Sequence, residues 1–166
     1  MKTLVIAGLA AAALTGSAFA QPGPPPPPAR GPAPALALEA AQTAIATCAA
    51  NGYKVSVVVV NSAGAPRLVL MSDGAPDMTN QIATRKAFTA LTLKEPTAAV
   101  SEQVKTDTAL ADRIKNDPKM ITWAGGQPLM AGADLIGAIA VSGAPGGDKD
   151  DACTSAGIAK VKDRLK

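Results

Sequence analysis

Apolar residues from Ala35 onward follow two periodicities, and the changes between them mark out the elements. In Ala35–Asn51, "ALALEAAQTAIATCAAN", residues Leu38, Ala41, Ile45 and Cys48 recur at helical spacing, and Asn51-Gly52 supplies a C-terminal stop. Lys54–Asn61 is β-branched and reads as a strand. Asn61–Pro66 turns the chain, and Arg67–Ser72 reads as the second strand of a hairpin. Asp73-Gly74-Ala75-Pro76 breaks the pattern. Asp77 or Thr79 is placed to cap a helix that runs to about Leu93 and packs through Met78, Ile82, Phe88 and Leu91. The polar stretch Thr97–Lys115 predicts partial helix. Met120–Trp123 predicts a short strand, and Gly125-Gly126 turns the chain into Gln127–Met130. Leu135–Ser142 predicts the most buried strand, and a closing helix is expected from about Asp148 to Lys166.

Strands therefore come in hairpins rather than alternating with helices. That order predicts an α+β domain, one mostly antiparallel sheet with helices packed on it. The loop after the last strand, Gly143 to Gly147, invites a phosphate-cradle reading. No G-x-G-x-x-G or G-K-[ST] follows, and Asp148, Asp150 and Asp151 sit in the first helical turn. Carboxylates there suit the helix dipole and repel phosphate.

The N-terminal fifth of the chain, residues 1–34 of 166, differs. Met1–Ala20 has an early Lys2, an apolar run from Leu4 to Leu14, and the small-x-small ending Ala18-Phe19-Ala20. This is the pattern of a secretory signal peptide, and its apolar run is too short to span a bilayer. The protein is expected in the periplasm or outside the cell, with no membrane span. Residues 21–34, "QPGPPPPPARGPAP", read as a stiff proline-rich linker outside the core. The domain occupies residues 35–166.

Composition narrows the chemistry. The chain of 166 residues carries 16 basic and 13 acidic side chains, a net +3, without a basic cluster. Aromatic residues make up 2%, so stacking platforms for nucleic acid are lacking, and no nucleic-acid partner is expected. There is no histidine. A Ser-His-Asp or Cys-His catalytic site is thereby impossible within the chain, as is a histidine-ligated metal. Cys48 and Cys153 are the only cysteines, one on the first helix and one on the last. In an oxidising compartment they are expected to pair; the alternative is two buried free thiols.

Five segments carry a family resemblance: "VSVVVVNSAG", "SDGAP", "IATRKAFTA", "GGQPLMAGADLIGAIAVSG" and "DDACTSAGIAKV". In that order they resemble the GlcG/HbpS-like family of haem-binding and haem-degrading-type proteins. The resemblance implies a profilin-like α+β fold and assembly into homo-oligomers. The family's lysine is present as Lys86, its G-G-x-P as Gly125, Gly126, Gln127 and Pro128, and its helix-start aspartate as Asp150. Asn61 stands where an aspartate is usual, Met71 where an arginine is usual, and Ala140 and Ala144 where glycines are common.

The resemblance makes haem, or a small organic acid, the implied ligand. An exported binding protein is the first reading, and an enzyme that degrades or modifies such a ligand without a histidine-based site is the second. Lys86 is expected either to reach into a pocket or to cover the core with its stem, and Arg85 to face solvent. Trp123, beside Gly125-Gly126, is a candidate wall for a flat ligand, although a lone tryptophan is more often core. Met78, Met120 and Tyr53 are candidate axial ligands for iron, and Lys86 or Arg85 for propionates, in a loose site. Replacement of Lys86 is expected to leave the fold intact. Both faces of the strands Val55–Val60 and Leu135–Val141 are apolar. A single layer of helices would leave one sheet face bare, and a second subunit is expected to cover it.

Overall fold

A computed structural model describes residues 28–166. The expected signal peptide, Met1–Ala20, and the start of the proline-rich linker lie outside the described residues. Helix α1 spans Pro34–Ala49, strands β1 and β2 Ser56–Asn61 and Pro66–Met71, and helix α2 Asp77–Leu93. Two short helices follow, α3 at Thr97–Gln103 and α4 at Thr108–Asn116. Strands β3 and β4 cover Gly126–Ala131 and Asp134–Ser142; α5 covers Gly147–Val161 and ends in a 3-10 turn at Lys162–Arg164.

The four strands form one antiparallel sheet in the order β2-β1-β4-β3. The two hairpins thus meet along β1 and β4, where Val57 pairs with Val141 and Val59 with Ile139. This register sends Val57, Val59, Ile139 and Val141 to one face, against α1 and α5. Val58, Val60, Ala138 and Ala140 go to the other face, against α2. Both faces are therefore covered within one chain. The expectation of a bare face that only a second subunit covers is incorrect, because α2 packs opposite α1 and α5 rather than beside them.

Cys48 and Cys153 form a disulfide joining α1 to α5, with their Cα atoms 5.6 Å apart. The two helices lie side by side on the sheet, and Gly157 sets their closeness: a Cβ there would stand 2.6 Å from the Ala40 carbonyl oxygen. The end of the proline-rich linker is not free of the domain. The Ser62 amide donates to the Arg30 carbonyl at 2.8 Å, Arg30 pairs with Asp134 at 2.6 Å, and Pro32 is buried.

Three local expectations fail for identifiable reasons. Met120–Trp123 is not a strand. Its backbone is held by α2 side chains instead of a ladder: Arg85 donates to the Met120 carbonyl at 2.6 Å, and the Ile121 amide donates to Thr89 Oγ1 at 2.9 Å. Neither Asp77 nor Thr79 caps α2; Pro76 holds the cap position, and the Thr79 hydroxyl donates to its carbonyl at 2.6 Å. The closing α-helix stops at Val161 rather than running to Lys166.

Candidate functional site

The alanines of α2 prepare the site. Ala83, Ala87 and Ala90 bring the helix close to the sheet, and Lys86 projects from that same buried side with 1% of its surface exposed. A charge so placed requires partners. Lys86 Nζ donates to Asp150 Oδ2 at 2.7 Å and to the Val141 carbonyl at 3.0 Å. Asp150 stands in the first turn of α5, and its Oδ1 accepts from the Ala144 amide at 2.9 Å. One ion pair thus joins α2, the end of β4 and the start of α5.

Burial penalises both charges more than they repay each other. It lowers the Lys86 amine from the usual lysine value against the opposing pull of Asp150. It likewise raises the Asp150 carboxyl against the pull of Lys86.

Gly125 and Gly126 fit into the crossing of these elements. A Cβ on Gly125 would lie 2.7 Å from the Asp150 Cβ and 2.9 Å from Lys86 Nζ, and its φ is +119°. A Cβ on Gly126 would lie 2.5 Å from the Lys86 carbonyl oxygen. Thr97 Oγ1 accepts from the Gly126 amide at 2.8 Å, and Thr154 donates to the Gly125 carbonyl at 2.8 Å. Both threonines are buried and neither stands out in the sequence, where Thr97 reads as part of a polar stretch. Gln127 serves a different purpose: its Nε2 donates to Asp151 Oδ1 at 3.0 Å and to Ser155 Oγ at 2.7 Å, tying β3 to α5.

Three hollows adjoin this crossing. The first, of about 420 Å³, is lined by Thr79, Ile82, Lys86, Ser142, Gly147 and Asp150. The second, also about 420 Å³, runs along α2 past Met78, Gln81, Ile82, Arg85 and Ile121. The third, of about 680 Å³, carries the carboxylates of Glu102, Asp148 and Asp151. Trp123 borders all three. It is 57% exposed, so it is a wall and not core. Met78, expected to pack, is 66% exposed in the same groove.

Met120 and Tyr53 stand elsewhere. Met120 is 1% exposed among Val100 and Ile114, and Tyr53 packs on the α1 side of the sheet. Arg85 is half-buried rather than solvent-facing, because it reaches across to the Met120 carbonyl. Its Nε is buried without a hydrogen-bond partner among the described residues. Among those residues no cluster of acidic or cysteine side chains suits a metal ion, and no helix is long and apolar enough to cross a membrane.

The sequence model of the haem-degrading HbpS-like family matches residues 34–159. The chain belongs to this family. A double mutant of HbpS from Streptomyces reticuli is 31% identical, with 93% of this chain and 98% of that one covered, at a TM-score of 0.72. The Klebsiella pneumoniae protein ORFY is 22% identical over 84% of this chain and 96% of its own, at a TM-score of 0.74. A PduOC:haem complex is likewise 22% identical, over 80% of this chain and 94% of that chain, at a TM-score of 0.72. These last two share the fold. No curated protein matches the sequence.

The HbpS-like family implies haem, and the three hollows differ in how they suit it. The Lys86 hollow does not fit. Its ammonium is already neutralised by Asp150, and Met78, Met120 and Tyr53 are not among its lining residues. In the structure Lys86 Nζ is engaged by Asp150 and the Val141 carbonyl rather than left free for propionates. The α2 groove does fit. It brings together the Met78 thioether, the Trp123 ring and the Arg85 side chain, respectively a neutral iron donor, a flat apolar wall and a cation.

Proposed function

We propose that this HbpS-like protein is an exported haem-binding protein, periplasmic or secreted, that holds the porphyrin in the Met78–Trp123 groove. One observation carries the reading. Among the described residues, Met78 and Trp123 are the two most exposed of the large apolar side chains, and they line the same groove. Haem bound there would supply iron for redox or oxygen chemistry. The chain's own part is to present the Met78 sulfur, offer the indole face, and set Arg85 at the rim for a propionate. The structural likeness to PduOC, solved as a haem complex, supports the same ligand class. Haem is favoured over a small organic acid because carboxylates crowd the other two hollows.

Export rests on the signal-like Met1–Ala20 and agrees with a disulfide formed in an oxidising compartment. Self-association rests on family membership; light scattering that reports only monomer at micromolar concentration would remove it.

The test of haem binding uses the single tryptophan. Hemin is titrated while the porphyrin band and Trp123 fluorescence are followed together. The reading expects a shifted band and quenched fluorescence with one shared midpoint, in the micromolar range or weaker, roughly 8 kcal/mol or less. Added ascorbate or peroxide then separates carriage from degradation: a persistent band supports a carrier, and its loss to biliverdin-like products an enzyme. A spectral change without quenching moves haem away from the groove.

A further inference from the structure

The haem reading leaves Lys86 without a task, yet its surroundings are those of a reactive amine. The ammonium has three N–H groups, and Asp150 and the Val141 carbonyl use two. The side chain borders a hollow of about 420 Å³, large enough for a small molecule. Asp150, at 2.7 Å, is in position to take a proton from the nitrogen. Ser142, 4% exposed, also lines the hollow, where its hydroxyl is a potential hydrogen-bond donor to whatever enters. We propose that Lys86 is a nucleophile that condenses with a small neutral carbonyl compound, an aldehyde or a ketone, to form an imine in this hollow.

The substrate class follows from the charges. Asp150 is bonded to the amine and Asp151 acts on it electrostatically, which disfavours an anionic ligand and stabilises a cationic iminium. The steps balance. Lys86 gives a proton to Asp150, and its freed lone pair forms a C–N bond to the carbonyl carbon. The carbonyl electron pair moves to oxygen, which accepts the Ser142 hydrogen bond and takes the proton back from Asp150. A second proton, from nitrogen by way of Asp150, lets the hydroxyl leave as water. The iminium keeps one N–H for Asp150 and gives up the bond to Val141. Burial that lowers the Lys86 amine favours the free base the first step needs.

The test is reductive trapping on the whole protein without haem. Propionaldehyde is added at less than one equivalent with cyanoborohydride, and the modified lysine is located by peptide mass spectrometry. The proposal expects most of the adduct on Lys86, ahead of the exposed Lys94, Lys105 and Lys160, and loss of this preference in the unfolded chain. A structural lysine predicts the reverse, with Lys86 the least modified; that pattern overturns the proposal. Asp150→Asn, if folded by circular dichroism, is expected to lose the preference. If it does not fold, the wild-type map decides by itself. Ser142→Ala is expected to lower the Lys86 yield several-fold while the fold persists. The outcome is independent of haem, so each reading can fail without the other.

Discussion

Lys86 and Asp150 form a buried pair whose worth lies in being complete. Lys86→Met leaves a carboxylate buried alone and is expected to cost about 3–5 kcal/mol. This revises the expectation that the lysine is dispensable for folding, which assumed a partly exposed side chain. The double change Lys86→Met with Asp150→Asn removes both charges and is expected to recover much of that loss; urea unfolding of the two variants checks it. The pair also sets a pH dependence. The folded state binds the Asp150 proton more readily than the unfolded chain, whose value is near 3.8. As pH falls from neutral through the raised value, the unfolded chain therefore binds fewer protons at this group, and its contribution to stability rises. Lys86 acts in mirror image: its contribution rises as pH climbs from its lowered value toward 10.5. Between the two windows the charged pair costs most. Relative to the double variant, the wild type is expected to gain stability on mild acidification, opposite in sign to an ordinary salt-bridged carboxylate. Thermal unfolding of both across that range measures it.

Among the elements, α5 has the most attachments. Its first turn holds Asp150, its next turn Cys153, and its Gly157 lies against α1. The disulfide closes a separation of 105 residues, for which the chain-entropy model gives about 4.7 kcal/mol. Replacing both cysteines by alanine is expected to lower the denaturant midpoint accordingly while the far-ultraviolet spectrum of the folded state persists. At the end of α2, Lys94 adopts a left-handed conformation with φ 59°, which costs a side-chain-bearing residue about 1 kcal/mol. It is exposed, and Lys94→Gly is expected to raise stability by up to about that amount. A melting curve that is unchanged or lower would mean the side chain contributes more than its backbone costs.

At the scale of the molecule, two regions serve separate purposes. The α1–α5 side is a disulfide-linked apolar core, and the polar crossing and the three hollows gather around Trp123, where α2 meets the first turn of α5. Function in the second region is expected to be separable from stability in the first. Trp123→Ala, at a 57% exposed position, is expected to change the melting temperature little and to weaken haem binding about tenfold, the effect of losing roughly 1.4 kcal/mol of stacking contact. Hemin affinity equal to wild type would place the ligand elsewhere.

The sequence alone determined the α+β class, both hairpins and the major helices, because these follow from local periodicity and turn residues. The short Met120–Trp123 strand was misread for the same reason: its apolar run is local, but its backbone partners are side chains of α2. The cysteine pairing was legible from the signal-like pattern of Met1–Ala20 and from helix order, and Lys86, Gly125, Gly126 and Asp150 from family motifs. Only the tertiary structure decided which side of the sheet each helix covers, since apolar strands fit either arrangement. It alone brought Lys86 to Asp150 across 64 residues. It also turned Trp123 and Met78 outward, against the average preference of apolar side chains. Burial belongs to the packed whole, and no periodicity along a chain encodes which of two apolar residues is left at its surface.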